Sequence, residues 1–110
     1  MIGGRVRLVD FEGESFSRGA VFRVRGKYPY EKSVDFMIFD TQLEDRPYGL
    51  IVTSGYKAGL ILIYLPEESY SADGGIDKEW VISNWEEWIY PDCNIFDVHF
   101  VEGYESIPVS

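Results

Sequence analysis

The sequence predicts an α+β fold: a curved, mostly antiparallel sheet of about six strands packed by one main helix near residues 77–89. Three observations carry this. Alternation with a period of two recurs through the first 65 residues with no helical stretch between. The period then changes to that of a helix over 78–89, and alternation returns at 97–102. The whole of 1–110 is read as a single domain, long enough to bury a core without disulfide staples.

The elements follow in order. Residues 5–11 place Val6 and Leu8 on one side and Arg5 and Arg7 on the other, a strand with one wet face. Glu12, Gly13, Glu14 and Ser15 are turn chemistry. Residues 20–25 set Phe22 and Val24 opposite Arg23 and Arg25. In 34–39, Val34, Phe36 and Ile38 share a face. Residues 49–53 and 59–65 form a predicted hairpin about the turn 54–58. The second arm, from Leu60 to Leu65, is apolar on both faces and is therefore expected in the centre of the sheet. Pro66 ends it, having no N–H for the ladder.

A loop over 67–75 leads to Asp77, a good N-cap, with Glu79 where the helix dipole favours negative charge. Val81, Trp85, Trp88 and Ile89 fall on one helical stripe, and Lys78, Ser83, Glu86 and Glu87 fall away from it. Val81, Trp85 and Phe100 are assigned to the core; one of Trp80 and Trp88 is expected to pack and the other to be partly exposed. Pro91 disfavours helix at Tyr90. In the last strand, 97–102, Val98 and Phe100 share a face, and the tail past Tyr104 is expected to be poorly ordered.

Composition narrows the function. Residues 1–55 carry eight Lys/Arg and eight Asp/Glu, whereas 56–110 carry only Lys57 and Lys78 against eleven acids, so the whole net charge of −9 lies in the second half. Such a field repels nucleic acid and membrane surfaces and attracts a basic partner. An aromatic content of 16% distinguishes the chain from a disordered acidic tail. The single cysteine, Cys93, forms no internal disulfide, the longest apolar run is far shorter than the ~20 residues of a membrane helix, and the N-terminus lacks the order of a signal peptide. The expectation is a soluble, cytoplasmic protein.

Catalytic chemistry is thinly represented. Asp97 and His99, two apart on the predicted strand, make a thiol site with Cys93 conceivable, but a half-buried strand histidine and a small buried cysteine account for the same residues. One Cys and one His do not supply the ligands zinc takes. The stretch Asp73-Gly74-Gly75-Ile76-Asp77 offers oxygen ligands for calcium but lacks the alternating ligand series, and reads as a turn followed by an N-cap. The pairs Glu67/Glu68 and Glu86/Glu87 are neighbours on the chain, not carboxylates facing each other across a cleft. The stripe Arg5, Arg7, Arg23 and Arg25 is expected to pair with Asp10, Glu12 and Asp35, not to bind RNA. No enzyme, cofactor or metal is expected. The acids interleaved with Tyr64, Tyr70, Trp80, Trp88, Tyr90 and Tyr104 have the composition of a recognition surface.

The run from Asp77-Lys78-Glu79-Trp80 through Trp85-Glu86-Glu87-Trp88-Ile89-Tyr90-Pro91-Asp92-Cys93, followed by Asp97-Val98, resembles a family of small bacterial immunity proteins, immunity protein 45. These are the antidotes of polymorphic toxin and contact-dependent growth inhibition systems. The W-x4-W-x2-W-x-Y-P pattern covers residues 76–98, with weaker likeness in the preceding strands. The resemblance implies a cytoplasmic, non-enzymatic protein that binds one cognate toxin domain, 1:1, and blocks it. Many such toxins are nucleases with basic substrate grooves, which an acidic inhibitor fits as a phosphate mimic. The resemblance transfers no contact residue. From acids beside aromatics, the expected contact region is Glu67, Glu68, Tyr70, Asp73, Glu79, Glu86, Glu87 and Asp92. Two rivals stand beside this reading: an acidic binding or regulatory module for some other basic partner, and a small enzyme using Cys93 or His99.

Overall fold

A computed structural model of the chain describes residues 6–26, 32–72 and 74–104. The strands are β1 (Val6–Arg7), β2 (Ser15–Phe16), β3 (Val21–Arg25), β4 (Ser33–Asp40), β5 (Tyr48–Val52), β6 (Ile61–Tyr64), β7 (Ile76–Asp77) and β8 (His99–Val101). The helix α1 (Lys78–Asn84) continues into a π turn, Trp85–Ile89. Six strands form an open antiparallel sheet in the order β1-β8-β3-β4-β5-β6, and β2 pairs with β7 in a separate ribbon. The α+β arrangement of one antiparallel sheet and one main helix is as the sequence predicts.

The register assigns the faces. Phe22 lies opposite Phe36, Phe36 opposite Val52, and Ile38 opposite Leu50. These apolar side chains are buried beneath the helical layer, where the Trp85 ring meets Phe22 edge-on at 5.9 Å and Tyr90 meets Phe36 at 5.3 Å. Phe16 completes the core from the ribbon, its ring 4.9–5.0 Å from those of Phe11, Phe22 and Phe100. Aromatic pairs in this range add to the gain from burial itself.

The opposite face carries a second row. Val101, Val21, Met37, Ile51 and Ile61 are in register across five strands. Beside it runs a polar row, Arg7, His99, Arg23 and Asp35. Arg23 grips Asp35 with two hydrogen bonds of 2.7 and 2.9 Å. Arg7 pairs with Asp10 at 2.9 Å. Two of the expected arginine–carboxylate pairs are thus present, while Arg5 lies outside the described residues. Tyr104 donates its hydroxyl to Asp35 at 2.8 Å, which ties the chain after β8 back to β4.

Five sequence expectations change. The first strand stops at Arg7, because the chain turns inward over Leu8–Asp10 and buries Leu8 completely, its N–H bonded to the Val98 carbonyl at 2.8 Å. Residue 15, expected in a turn, belongs with Phe16 to the ribbon. The arm 59–65 is not central: β6 is the last strand of the sheet. A shift in register between Leu50 and Ile51 puts an extra residue into β6, so Leu62 and Ile63 pack on the core while Ile61 and Tyr64, three apart, both take the opposite face. Apolarity on two faces therefore does not place a strand at the centre of a sheet: the core face of β6 is packed, while Ile61 and Tyr64 on the other face are exposed. The last strand is His99–Val101 only, and Asp97 ends a short 3-10 turn.

The fifth change is in the helix. Asp77 caps it, its carboxylate accepting from the Trp80 N–H at 3.1 Å. Asn84 then leaves helical geometry (φ −117°, ψ 9°), and its side-chain amide donates to the Trp80 carbonyl at 2.9 Å. That side chain serves the carbonyl that the ladder would use, as Asn does where it competes with helix. The following turn closes by the wider i to i+5 bond, Tyr90 N–H to the Trp85 carbonyl at 2.9 Å. Fewer degrees per residue keep Trp85 and Ile89 buried but leave Trp88 41% exposed, off the stripe. Trp80 packs on the core, so the tryptophan pair divides between packing and solvent. The tail past Tyr104 lies outside the described residues.

Candidate functional site

The helical layer and the turns around it carry the candidate acids. Pro66 sets the backbone for the 3-10 turn Glu67–Ser69, where the Ser69 hydroxyl donates to the Pro66 carbonyl at 2.6 Å. Ser69 is buried, and Glu67 and Glu68 are left in solvent. This turn lies against α1. Tyr70 follows half-buried, its hydroxyl 3.3 Å from the carbonyl oxygens of both Asp45 and Leu65 and its ring edge-on to Tyr48 at 5.7 Å. Burial pushes the Tyr70 hydroxyl above its ordinary pKa, and the charges of Asp45 and Glu67 push it further, outweighing Arg46. Asp45 and Glu67 thus both act on the Tyr70 hydroxyl, which also meets the Asp45 carbonyl directly. Asp73 lies outside the described residues.

Glu79 is exposed on the first turn of α1 and opens a second patch. Pairing of Ser15 with Asp77 brings Glu12 and Glu14 beside it, around a depression of about 400 Å³. Lys78, within that ring of carboxylates, donates to the Phe11 carbonyl. Glu12 and Glu14 were missed as candidates because a charge count by halves places them in the neutral half; the ribbon that recruits them is two residues long.

Glu86 and Glu87 are exposed on the π turn. They line a groove of about 390 Å³ with Ile82, Ser83, Trp85 and residues 94–96. Asn94 caps the short turn there, accepting from the Phe96 N–H at 2.9 Å, and presents the Phe96 ring 58% exposed. Phe96 was also missed, although an Asn two residues before an aromatic in a turn is a visible capping signal. Asp92 stands exposed in the turn after Pro91. The candidates therefore form several separate acidic patches on and around the helical layer, with Phe96 and Trp88 as exposed aromatics, and do not converge on one reactive point.

Of the residues of the catalytic rival, Asp97 and His99 line one depression with Arg23 and Arg25, and Cys93 is not part of that lining. Cys93 is buried, its thiol 3.6 Å from the Asn94 carbonyl and its own carbonyl bonded to Trp85. His99 lies on the sheet, level with Arg7 and Arg23. Asp77 is the helix cap that the sequence predicts, its carboxylate engaged by the Trp80 N–H. Among the described residues no helix is long and apolar enough to cross a membrane.

A model of the family described as immunity protein 45 matches residues 8–100, which takes in strands β2 to β7, most of β8 and the tryptophan motif. No curated protein and no solved structure matches the chain.

Proposed function

Because this chain belongs to the immunity protein 45 family, we propose that it neutralises a cognate bacterial toxin domain by binding it, 1:1, in the cytoplasm, without catalysis. The toxin is read as a nuclease, and the acidic patches around α1 as the surface that blocks its active site or basic substrate groove. Within the family reading, the observation that supports this most is the placement of acids beside exposed aromatics: Glu86 and Glu87 flank the Phe96 groove, and Glu67, Glu68 and Glu79 stand on the same helical layer. Carboxylates in such a setting steer a basic partner, and a ring in a groove anchors it. Glu67, Glu68, Tyr70, Asp73, Glu79, Glu86, Glu87 and Asp92 remain the proposed contact region.

The test is co-expression with the toxin domain encoded immediately upstream. The proposal expects growth to be restored by this chain, and the purified toxin's cleavage of nucleic acid to stop at one equivalent. Continued killing in the presence of folded protein contradicts it. A regulatory module for an unrelated basic partner is the alternative, and only cognate rescue separates the two.

A further inference from the structure

We infer that the outer edge of β6 receives an extended segment of the cognate toxin as an added strand, an inference that rests on the toxin-neutralising reading above. Among the described residues β6 pairs only with β5 and closes the sheet on that side. An unpaired edge offers a row of free N–H and C=O groups, which proteins ordinarily guard with charge, proline or brevity. At the other edge, among the described residues, β1 has two residues and its Arg7 pairs with Asp10. At the β6 edge no charge or proline interrupts residues 60–65, and Leu60, Ile61 and Tyr64 are 58, 46 and 38% exposed. The bulge sets Ile61 and Tyr64 on one face, where they continue the apolar row of Met37 and Ile51 toward whatever lies beyond the edge.

Charge and continuity select the occupant. Beyond Tyr64 the chain passes through Leu65 and Pro66 directly into Glu67 and Glu68, and Tyr70 just after them bonds the Asp45 carbonyl. An apolar strand seated on β6 thus ends against the first acidic patch, and the segment that fits carries Lys or Arg at that end. Main-chain bonds then supply affinity, while the flanking pockets and charges supply choice of partner. A second copy of this chain fits less well, since each copy brings a net charge of −9. A pair of four-residue strands also falls well short of the roughly 1,200 Å² that a stable specific interface buries, so the strand is one part of a larger contact that continues onto the acids.

The test uses the full chain and the upstream-encoded toxin domain, inactivated by mutation. Hydrogen exchange is followed at residues 61–65 in the free protein and the complex, and Kd is measured for wild type and for Ile61→Asn/Tyr64→Asn. That pair leaves the charge unchanged and spares Leu62 and Ile63 in the core. The expected result is slowed exchange at 61–65 on binding and a loss of affinity of about tenfold or more in a variant with wild-type circular dichroism. Tight binding by both proteins with unprotected β6 amides overturns the edge assignment and leaves the toxin reading standing. Protection of the same amides in a toxin-free dimer assigns the edge to a second copy and overturns it likewise. Absence of binding by wild type overturns the toxin reading itself, and the edge assignment with it.

Discussion

The Trp85 indole N–H donates to the carbonyl oxygen of Cys93 at 3.0 Å, deep in the core, and so fastens the loop after the π turn to the ring that packs on the sheet. Both residues are buried, and neither has solvent as a substitute partner. The pairing explains why the segment 85–93 holds a fixed path although it is not α-helical. It also makes Trp85 a scaffold residue whose loss disturbs the acid-bearing turn indirectly.

Trp85→Phe therefore removes both volume and a donor, leaving the Cys93 carbonyl unsatisfied. The expected destabilisation is about 2–4 kcal/mol, read from urea unfolding midpoints at constant slope. A change within experimental error contradicts the pinning role.

Asp35 sets an acid limit on stability. Burial pushes its carboxyl up, but the Arg23 guanidinium and the Tyr104 hydroxyl together outweigh burial and hold it below the usual carboxylate range. A folded-state pKa below the unfolded one gives stability that is complete above the unfolded value of roughly 4 and is lost as pH falls through the folded value. Removing the Tyr104 hydroxyl with Tyr104→Phe is expected to raise the Asp35 pKa and move that loss to higher pH. Carbon-detected NMR titration of the Asp35 carboxyl checks it, and an unchanged pKa refutes the contribution of Tyr104.

Gly75 is required by two constraints at once. Its φ is +77°, and a Cβ there would lie 2.3 Å from the Phe16 carbonyl oxygen, which belongs to the ribbon partner. Gly75→Ala is expected to cost on the order of 2 kcal/mol or more and to weaken the ribbon that brings Glu12 and Glu14 to Glu79. Thermal unfolding measures the first effect, and exchange rates at Ser15 and Phe16 measure the second.

Cys93→Ala and His99→Ala separate an inhibitor from an enzyme. Neutralisation of the toxin is expected to survive both, with Cys93→Ala costing about 1 kcal/mol of stability from lost packing. Loss of protection in a folded His99→Ala protein counts against inhibition by binding alone.

The parts legible in the sequence were those set by local chemistry. Asp77 announces a helix cap, the spacing of Val81 and Trp85 announces a buried stripe, and Phe22, Val24, Phe36 and Ile38 announce one face of a sheet. What was hidden depended on distant partners. Nothing near Leu60 or Tyr64 tells a central strand from an edge strand, because both faces are apolar in either place. The competition between the Asn84 side chain and the helix ladder displaces Trp88 by geometry that a regular period does not contain. The candidate site was legible as composition: acids beside aromatics in one segment. Its grouping was not, because Glu12 and Glu14 reach Glu79 only through β2–β7 pairing, and Asp45 meets Tyr70 only through the contact with its carbonyl.

The proposed function rests on capture of a basic toxin domain by the acidic surface. Calorimetric titration against the inactivated upstream-encoded domain, repeated at low and high salt, tests it most directly. The expected result is a 1:1 complex of nanomolar or tighter affinity that weakens as salt rises, because exposed charges are screened beyond a Debye length of about 10 Å at 0.1 M. No heat of binding to a folded toxin domain, or an association indifferent to salt and to Glu86→Gln/Glu87→Gln, contradicts it.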